Sequence, residues 1–240
     1  MNIYQIIASE YRELFPSSLL KVDFTMRYVR PYEEASILDI GCASGEFLCQ
    51  LASPGRKLSG IDIDSAMIAE ASAFAAENIH FLQADMTGFL QKSRESEYDL
   101  VTCFGNTVVY LKDEDALNTF FNGALKALKK GGRIIIQVLN FGRKDIGEGF
   151  TFEPLESCRL GFDRFYSLNE DGVHLDFHTS VTDKITGEVF TDTHVLYPFA
   201  STTIADRARQ AGFSNVERFG SYDNDAACES DFFHLIVAEK

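Results

Sequence analysis

Four aspartates stand where apolar runs of this chain stop. Asp39 lies in Ile37-Leu38-Asp39-Ile40, Asp62 and Asp64 follow Leu58-Ser59-Gly60-Ile61, and Asp85 comes soon after Ile79-His80-Phe81-Leu82-Gln83. The first run breaks into Gly41-Cys42-Ala43-Ser44-Gly45-Glu46. Glycine has no Cβ to keep a ligand away from the backbone. An aspartate 21 residues beyond Gly41 (62 − 41) can accept both hydroxyls of a ribose. These residue types in this order suit a nucleoside-bearing ligand. They do not suit a pyrophosphate. The dinucleotide fingerprint is G-x-G-x-x-G, whereas here the spacing is Gly41-x-x-x-Gly45, with Ala43 in the middle and Glu46 behind. A carboxylate in that place would repel phosphates. No G-K-[ST] follows, which excludes a P-loop, and the chain has no Y-x-x-x-K acid–base pair.

The elements that must hold these residues follow from periodicity. Residues 3–15 look helical and stop at Pro16, and residues 18–30 read as a second helix, capped by Ser17 or Ser18 and ended by Pro31. Strands then alternate with helices. Strands are expected over 37–40, 58–63, 79–83, 99–103 and 133–139. Helices are expected through Leu51, from Ser65 to about Ala76, near Phe89, and where Leu117, Phe120, Phe121, Ala124, Leu125 and Leu128 share one face, with Gly131-Gly132 as the stop. Such alternation demands a parallel sheet with right-handed crossovers. Ile134-Ile135-Ile136 is apolar on both faces, as a doubly covered sheet requires. The rhythm changes over 150–200, where β-prone runs at 164–168, 173–181 and 188–197 are joined by Asn169-Glu170-Asp171-Gly172 and Asp183-Lys184-Ile185-Thr186-Gly187. This reads as an inserted antiparallel meander. A helix over 201–211, stopped by Gly212, and strands near 216–219 and 232–238 return the chain to the sheet.

Composition narrows the function. At 240 residues and 45% apolar content the chain is globular, with room for a large core. No apolar run approaches the roughly 18 residues of a membrane span, and the first residues do not read as a signal peptide. The five cysteines (Cys42, Cys49, Cys103, Cys158, Cys228) form no C-x-x-C pair, so a reduced, cytoplasmic protein is expected. A net charge of −14 argues against nucleic acid, whose binders neutralise phosphates with Lys and Arg. The compact basic cluster Lys126-Lys129-Lys130 is read as the C-terminus of a helix, complementing its dipole.

Taken in order, the motifs resemble those of class I S-adenosylmethionine-dependent methyltransferases. Leu38-Asp39-Ile40-Gly41-Cys42-Ala43-Ser44-Gly45 is similar to that family's first motif, Gly60-Ile61-Asp62-Ile63-Asp64-Ser65-Ala66-Met67 to its second and Gln83-Ala84-Asp85-Met86 to its third. Tyr98-Asp99-Leu100-Val101 resembles the start of its fourth strand, Leu125 to Gly132 the helix and turn before its fifth, and Ala211-Gly212-Phe213 the turn before its sixth. Each motif alone is weak; the ordered set, over about 35–140 and 200–240, is specific. The resemblance implies an α/β, Rossmann-like seven-stranded methyltransferase sheet with its last strand antiparallel. The meander would be an inserted cap. The implied domains are 1–34 as N-terminal helices and possible lid, 35–142 with 200–240 as the cofactor domain, and 143–199 as the cap on the substrate side. The implied cofactor is S-adenosyl-L-methionine, leaving as S-adenosyl-L-homocysteine. By this resemblance Gly41, Cys42, Ala43 and Gly45 face the methionine part and Asp39 supports the loop. Asp62 with Ile63 holds the ribose, Met67 and Met86 flank the adenine, Asp85 reaches its amino group, and Cys103 and Phe104 line the sulfonium. Ala43 stands where the family often has glycine. Read from the residues alone, Asp64 and Asp85 are also good helix caps.

The acceptor is less legible. Phe104-Gly105-Asn106-Thr107 and Leu139-Asn140-Phe141 resemble segments of glycine/sarcosine N-methyltransferases, which implies that Asn106 and Asn140 turn their amides to the acceptor, with Tyr11 and the meander as cover. The arginine that those enzymes often carry at the end of the last meander strand is missing, since Leu196-Tyr197-Pro198 stands there. Arg164 could replace it, but is expected to be an exposed strand residue. His178 or His194 could act as a base, though hydrogen-bonded strand positions suit them as well. His174, His178 and His194 show no metal-ligand spacing, so no metal is expected. The phenylalanines of the meander could cage a cation or simply fill a small core. The expectation is methyl transfer to a small molecule, at nitrogen first and oxygen second; the alternative is a cofactor-binding protein without catalysis. No membrane or nucleic-acid partner is expected, and the sequence leaves the oligomeric state open.

Overall fold

The computed structural model describes residues 2–29 and 33–240. Pro31, the expected end of the second helix, lies outside the described residues. The expected first helix is three short pieces: α1 (Ile3–Ile7), a 3₁₀ turn at Ala8–Glu10, and α2 (Tyr11–Leu14). The second, α3 (Leu19–Met26), is capped by Ser18, whose hydroxyl accepts from the Leu20 amide.

The main sheet is built from β1 (Ser36–Ile40), β2 (Lys57–Asp62), β3 (Ile79–Gln83), β4 (Tyr98–Cys103), β5 (Leu128–Leu139), and later β10 (Ser214–Phe219) and β11 (Phe233–Glu239). Their order is β10-β11-β5-β4-β1-β2-β3. The first five run parallel, while β11 pairs antiparallel with both β5 and β10. The fold is thus the seven-stranded sheet expected, with its last strand reversed. Helices α4 (Glu46–Gln50), α5 (Ser65–Ala73), α6 (Met86–Lys92), α7 (Glu114–Ala127) and α8 (Ser201–Ala211) connect the strands. One face of the sheet packs Val101, Ile134 and Ile136 with Leu117, Phe120, Phe121 and Ile204 from the helices. The other packs Ile37, Leu100 and Ile135 with Phe24, Phe47 and Leu48.

Helix α7 ends at Ala127, four residues before the expected Gly131 stop. The strand pairing overrides local propensity here. Leu128 already pairs with Tyr98, and the glycines make an irregularity inside the strand, where Gly131 donates to Lys240 O and Lys240 donates back to Gly132 O. Lys129 and Lys130 therefore lie in β5. Lys129 Nζ sits 2.7 Å from Asp99 Oδ2, a buried carboxylate that also accepts from the Ser36 amide. At the other end of α7, Asp113 Oδ1 accepts from the Ala116 amide at 2.7 Å. Asp113→Ala is expected to cost about 1 kcal/mol by losing this cap, read as a lowered midpoint of urea unfolding. An unchanged midpoint would show that the helix end is held by its packing alone.

The meander forms a separate sheet of β6 (Leu155–Glu156), β7 (Leu160–Leu168), β8 (Leu175–Asp183) and β9 (Val189–Leu196), in that order and antiparallel. β6, only two residues long, was not legible as a strand. Leu160, Phe162 and Val181 of this sheet pack with Ile3, Ile7 and Leu14 of the N-terminal segment and with Met67 of α5. The N-terminal segment is thus wedged between the two sheets.

Candidate active site

A cavity of about 640 Å³ opens beyond the carboxyl ends of β1, β2 and β4, with the N-terminal segment and the meander as its other walls. That volume falls within the range of small-molecule sites. The location is where open parallel sheets bind ligands.

The turn after β1 is held by its neighbour strand, since Gly41 and Cys42 both donate to Ile61 O, at 2.8 and 3.0 Å. Gly41 has φ +71°, and a Cβ there would lie 2.5 Å from Thr107 Cγ2, so the position admits no side chain. Ala43 adopts φ +46°, an unusual conformation for a residue with a side chain. Its amide donates to Asp62 Oδ2 at 2.9 Å, while Asp62 Oδ1 accepts from the Asp64 amide at 3.0 Å. Asp62 therefore organises the turn as well as lining the cavity. Burial raises its pKa, against the lowering effect of those amides.

Asp39 is buried one residue before the end of β1 and accepts from the Thr102 hydroxyl at 2.7 Å. Burial pushes its carboxyl up to about 6, against the lowering pull of Thr102 and of Lys21. Lys21 comes from α3, with Nζ 4.5 Å from the Phe47 ring centroid and 5.4 Å from that of Phe104. Burial lowers its pKa, and the charges of Asp39 and Glu46 partly restore it. Cys42 lines the turn, its thiol pushed up by burial. Ile63, Met67, Asp85, Met86 and Phe104 also reach the cavity. Asp85 caps α6 by accepting from the Gly88 amide at 2.7 Å. Asp64 caps α5 and accepts from Asn2 Nδ2 at 3.0 Å, tying the N-terminal segment to the sheet domain.

Two residues expected on this wall lie elsewhere. Cys103, the last residue of β4, is fully buried in the core and is not among the lining residues; Phe104 is. Gly45 is not a lining residue either. A Cβ on it would overlap the Phe81 ring, so its role in the fold is to let α4 pack against β3.

The opposite wall is phenolic. Tyr4 and Tyr110 share a hydroxyl–hydroxyl hydrogen bond of 2.6 Å, and Tyr11 and Tyr166 stand nearby. Burial pushes Tyr4 up to about 12 and raises Tyr11, Tyr110 and Tyr166 as well. All four are neutral hydroxyls at physiological pH. Asn106, at φ +64°, accepts from the Leu139 amide at 3.0 Å and hydrogen-bonds the Tyr166 phenol. Phe152, Phe162, Phe177 and Leu196 of the cap complete this side.

The structure overturns two acceptor-side expectations, for Asn140 and Arg164, and decides between the two open readings of His178 and His194. Asn140 is buried and does not line the cavity: Nδ2 donates to Glu229 O and Asp231 O, each at 3.1 Å, and Oδ1 accepts from Gly142. His178 lies on the outer face of the meander, stacked on Phe165 at 4.6 Å and bonded to Ser167 and Thr193. His194 sits behind the tyrosine pair, 5.5 Å from the Tyr4 ring and 5.9 Å from that of Tyr110, and does not line the cavity. Arg164, expected outside, is a lining residue. A period-two reading would have placed it, because side chains of alternate strand residues share a face and both Phe162 and Tyr166 are buried. Tyr166 shares that alternation, whereas Tyr4, Tyr110 and Lys21 carried no such signal, as they meet only through tertiary packing.

The arrangement can hold a polar, hydroxyl-rich ligand along the sheet edge and face its reactive end toward neutral hydroxyls and aromatic rings. A methyltransferase-domain family model matches residues 37–132. The chain is 27% identical over 220 residues to the putative methyltransferase YqeM of Bacillus subtilis, covering 88% of this chain and 86% of that protein. It is 26% identical over 230 residues to a glycine/sarcosine N-methyltransferase of Parasynechococcus marenigrum, covering 91% and 76%. Its fold matches an S-adenosylmethionine-dependent methyltransferase of Clostridium acetobutylicum with a TM-score of 0.79 at 17% identity, over 99% of each chain.

Proposed function

We infer that this chain, a class I S-adenosylmethionine-dependent methyltransferase, methylates a nitrogen atom of a small-molecule amine. The cofactor, when bound, supplies an electrophilic methyl group on a sulfonium. The residues present fit it: a turn at Gly41 that a Cβ would block, an acid at the end of β2, and a lysine beside the turn. Asp62 accepts the ribose hydroxyls while its other lone pairs keep Ala43 and Asp64 in place. Lys21 faces the methionine carboxylate. Asp85 and the side chains of Met67 and Met86 enclose the adenine, and Phe104 closes the wall by the sulfonium. Residues 1–34 act as a lid, 35–142 with 200–240 as the cofactor domain and 143–199 as the cap over the acceptor.

One observation carries the choice of nitrogen: the acceptor wall offers neutral phenols and no histidine among its described residues. A neutral amine attacks through its own lone pair and needs no base before the bond forms. A hydroxyl needs its proton removed, and phenols whose pKa is raised are poor bases in their neutral form. The hydroxyl oxygens of Tyr4, Tyr110 and Tyr166 can instead accept hydrogen bonds from the amine and orient its lone pair. The relative that methylates glycine and sarcosine supports an amine acceptor. No helix among the described residues is long and apolar enough to cross a membrane, and the net charge of −14 supports a small molecule over nucleic acid as substrate.

The test is incubation with methyl-labelled cofactor and a metabolite extract, alongside calorimetry with S-adenosylhomocysteine. Label is expected in small molecules that cation exchange retains. Label confined to RNA or protein, or found only as O-methyl esters and ethers, would refute the amine reading. Binding of S-adenosylhomocysteine without transfer to any fraction would favour a cofactor-binding protein that does not catalyse.

A further inference from the structure

His174 stands at the tip of the cap, in the turn that joins β7 to β8, and both nitrogens of its ring meet oxygens that can only accept. Nδ1 lies 2.5 Å from Asp171 Oδ2, and Nε2 lies 2.8 Å from Lys112 O. A neutral imidazole carries one N–H and one lone pair, whereas the charged ring carries two N–H groups. Only the charged ring satisfies both neighbours. Asp171 is set up as an acceptor. Its Oδ1 accepts from the Val173 and His174 amides at 2.8 and 2.9 Å. The His174 and Val173 amides, with the ring, hold its carboxyl down to about 2. Lys112 belongs to the segment between the 3₁₀ turn at Thr107–Tyr110 and α7. The same stretch carries Tyr110 and Leu111 of the cavity wall, and its Val109 O accepts from the Tyr197 amide, just beyond β9, at 2.8 Å. The cap thus holds this stretch of wall by a backbone bond that does not titrate and by a ring that does.

We propose that His174 is a proton-operated clasp between the cap and the acceptor side of the cavity, closed when the ring is charged and open when it is neutral. On losing a proton the ring keeps its N–H toward the carboxylate, the stronger acceptor. The Nε2 lone pair then faces the lone pairs of Lys112 O. The tip of the cap moves off and frees the stretch that carries Tyr110 and Leu111. The groups around the ring set where this happens. Asp171 from the turn and Asp113 from the cap of α7 favour the charged ring. Lys112 Nζ pairs with Asp113 at 3.7 Å, and the Tyr197 ring packs edge-on at 5.3 Å. The bond to Lys112 O, and then that to Asp171, raise the pKa of the ring above its ordinary 6.5, against the lowering effect of burial. By linkage, the contribution of the clasp is full below the ordinary value and is lost as pH rises through the raised one. Histidine suits such a device because its charge changes near physiological pH. The inference rests on reading 143–199 as a cap over the cavity and not on the identity of the acceptor atom.

Hydrogen exchange of the full chain, read by mass spectrometry at about pH 6 and about pH 8.5 and corrected for the intrinsic pH dependence of exchange, tests this. Protection of the peptides covering 107–113 and 169–176 is expected to fall about fivefold or more at the higher pH, while β5 keeps its own. Two variants should each abolish the change, in opposite directions. His174→Phe keeps a ring against Tyr197 but has no donors, so both peptides should be weakly protected at both pH values. Asp171→Asn keeps Oδ1 for the Val173 and His174 amides and turns an NH₂ group to Nδ1. A neutral ring can then donate to Lys112 O through Nε2, so protection should stay high at both pH values. Equal protection of the parent at the two pH values, a fall that persists in either variant, or a fall shared equally by β5 would each overturn the clasp. If the phenylalanine variant fails to fold, the asparagine variant carries the comparison. The experiment needs neither cofactor nor acceptor, so its failure would leave the methyl-transfer reading standing.

Discussion

Replacing Asp62 by alanine is expected to weaken S-adenosylhomocysteine binding at least a hundredfold, about 3 kcal/mol, without unfolding the chain. Hydrogen bonds to a charged group contribute about 1.5–3 kcal/mol each, and a ribose offers two hydroxyls. The same carboxylate also holds the Ala43 amide at 2.9 Å and the Asp64 amide at 3.0 Å. Alanine therefore removes the ligand contacts and frees a turn whose Ala43 sits at φ +46°. An asparagine side chain in the same place keeps one carbonyl oxygen for an amide but brings an NH₂ group that cannot accept. Asp62→Asn should therefore fall between the parent and alanine. Calorimetry with S-adenosylhomocysteine, with thermal unfolding as the control for folding, reads both. An affinity within threefold of the parent in the alanine variant would place the ribose elsewhere.

Asp39→Asn is expected to stabilise the cofactor-free protein near neutral pH and to flatten its stability profile between about pH 4 and pH 6. The sign follows from linkage. Burial holds the folded carboxyl at about 6, above the ordinary value of 3.8. The folded chain thus binds its proton more tightly than the unfolded chain does. This contribution is full below the unfolded value, declines as pH rises toward 6, and is gone above it. A displacement of that size corresponds to about 3 kcal/mol. Asparagine carries no charge to desolvate, and its Oδ1 can still accept from Thr102. Urea midpoints at pH 4.5 and 7.5 compare the two proteins. The variant should gain on the parent at the higher pH, by somewhat less than the full amount because Lys21 loses its attraction to Asp39. A gap that is the same at both values would show that Asp39 titrates normally in the fold.

What could be read from the sequence was what lies close along the chain. The runs ending at Asp39 and Asp62 are apolar strands, and the glycine turn between strand and helix is a local signal, so the cavity wall along β1 and β2 was legible together with its sheet. The departures come from contacts between distant segments. Helix α7 stops at Ala127 because Leu128 is drawn into pairing with Tyr98. Asn140 is turned from the cavity by carbonyls at Glu229 and Asp231. His178 is directly opposite Phe165 in the register of β7 and β8, which puts both on the outer face. The tyrosine pair joins an N-terminal helix to the 3₁₀ turn at Thr107–Tyr110, and no local pattern marks that meeting. Arg164 is the instructive case, since alternation along β7 pointed inward while its charge argued for the outside.

The place of β11 between β5 and β10 bears on how the chain is made. A ribosome delivers β5 long before β11, with the meander, α8 and β10 in between. Until β11 emerges, one edge of β5 is an open ladder carrying Ile134, Ile136 and Val138, and such edges recruit strands from other molecules. β10 cannot close the gap, since its one neighbour in the sheet is β11. A nascent chain therefore carries an unfinished sheet while the 93 residues between Leu139 and Phe233 are made, and its solubility in that interval depends on how quickly the last strand inserts.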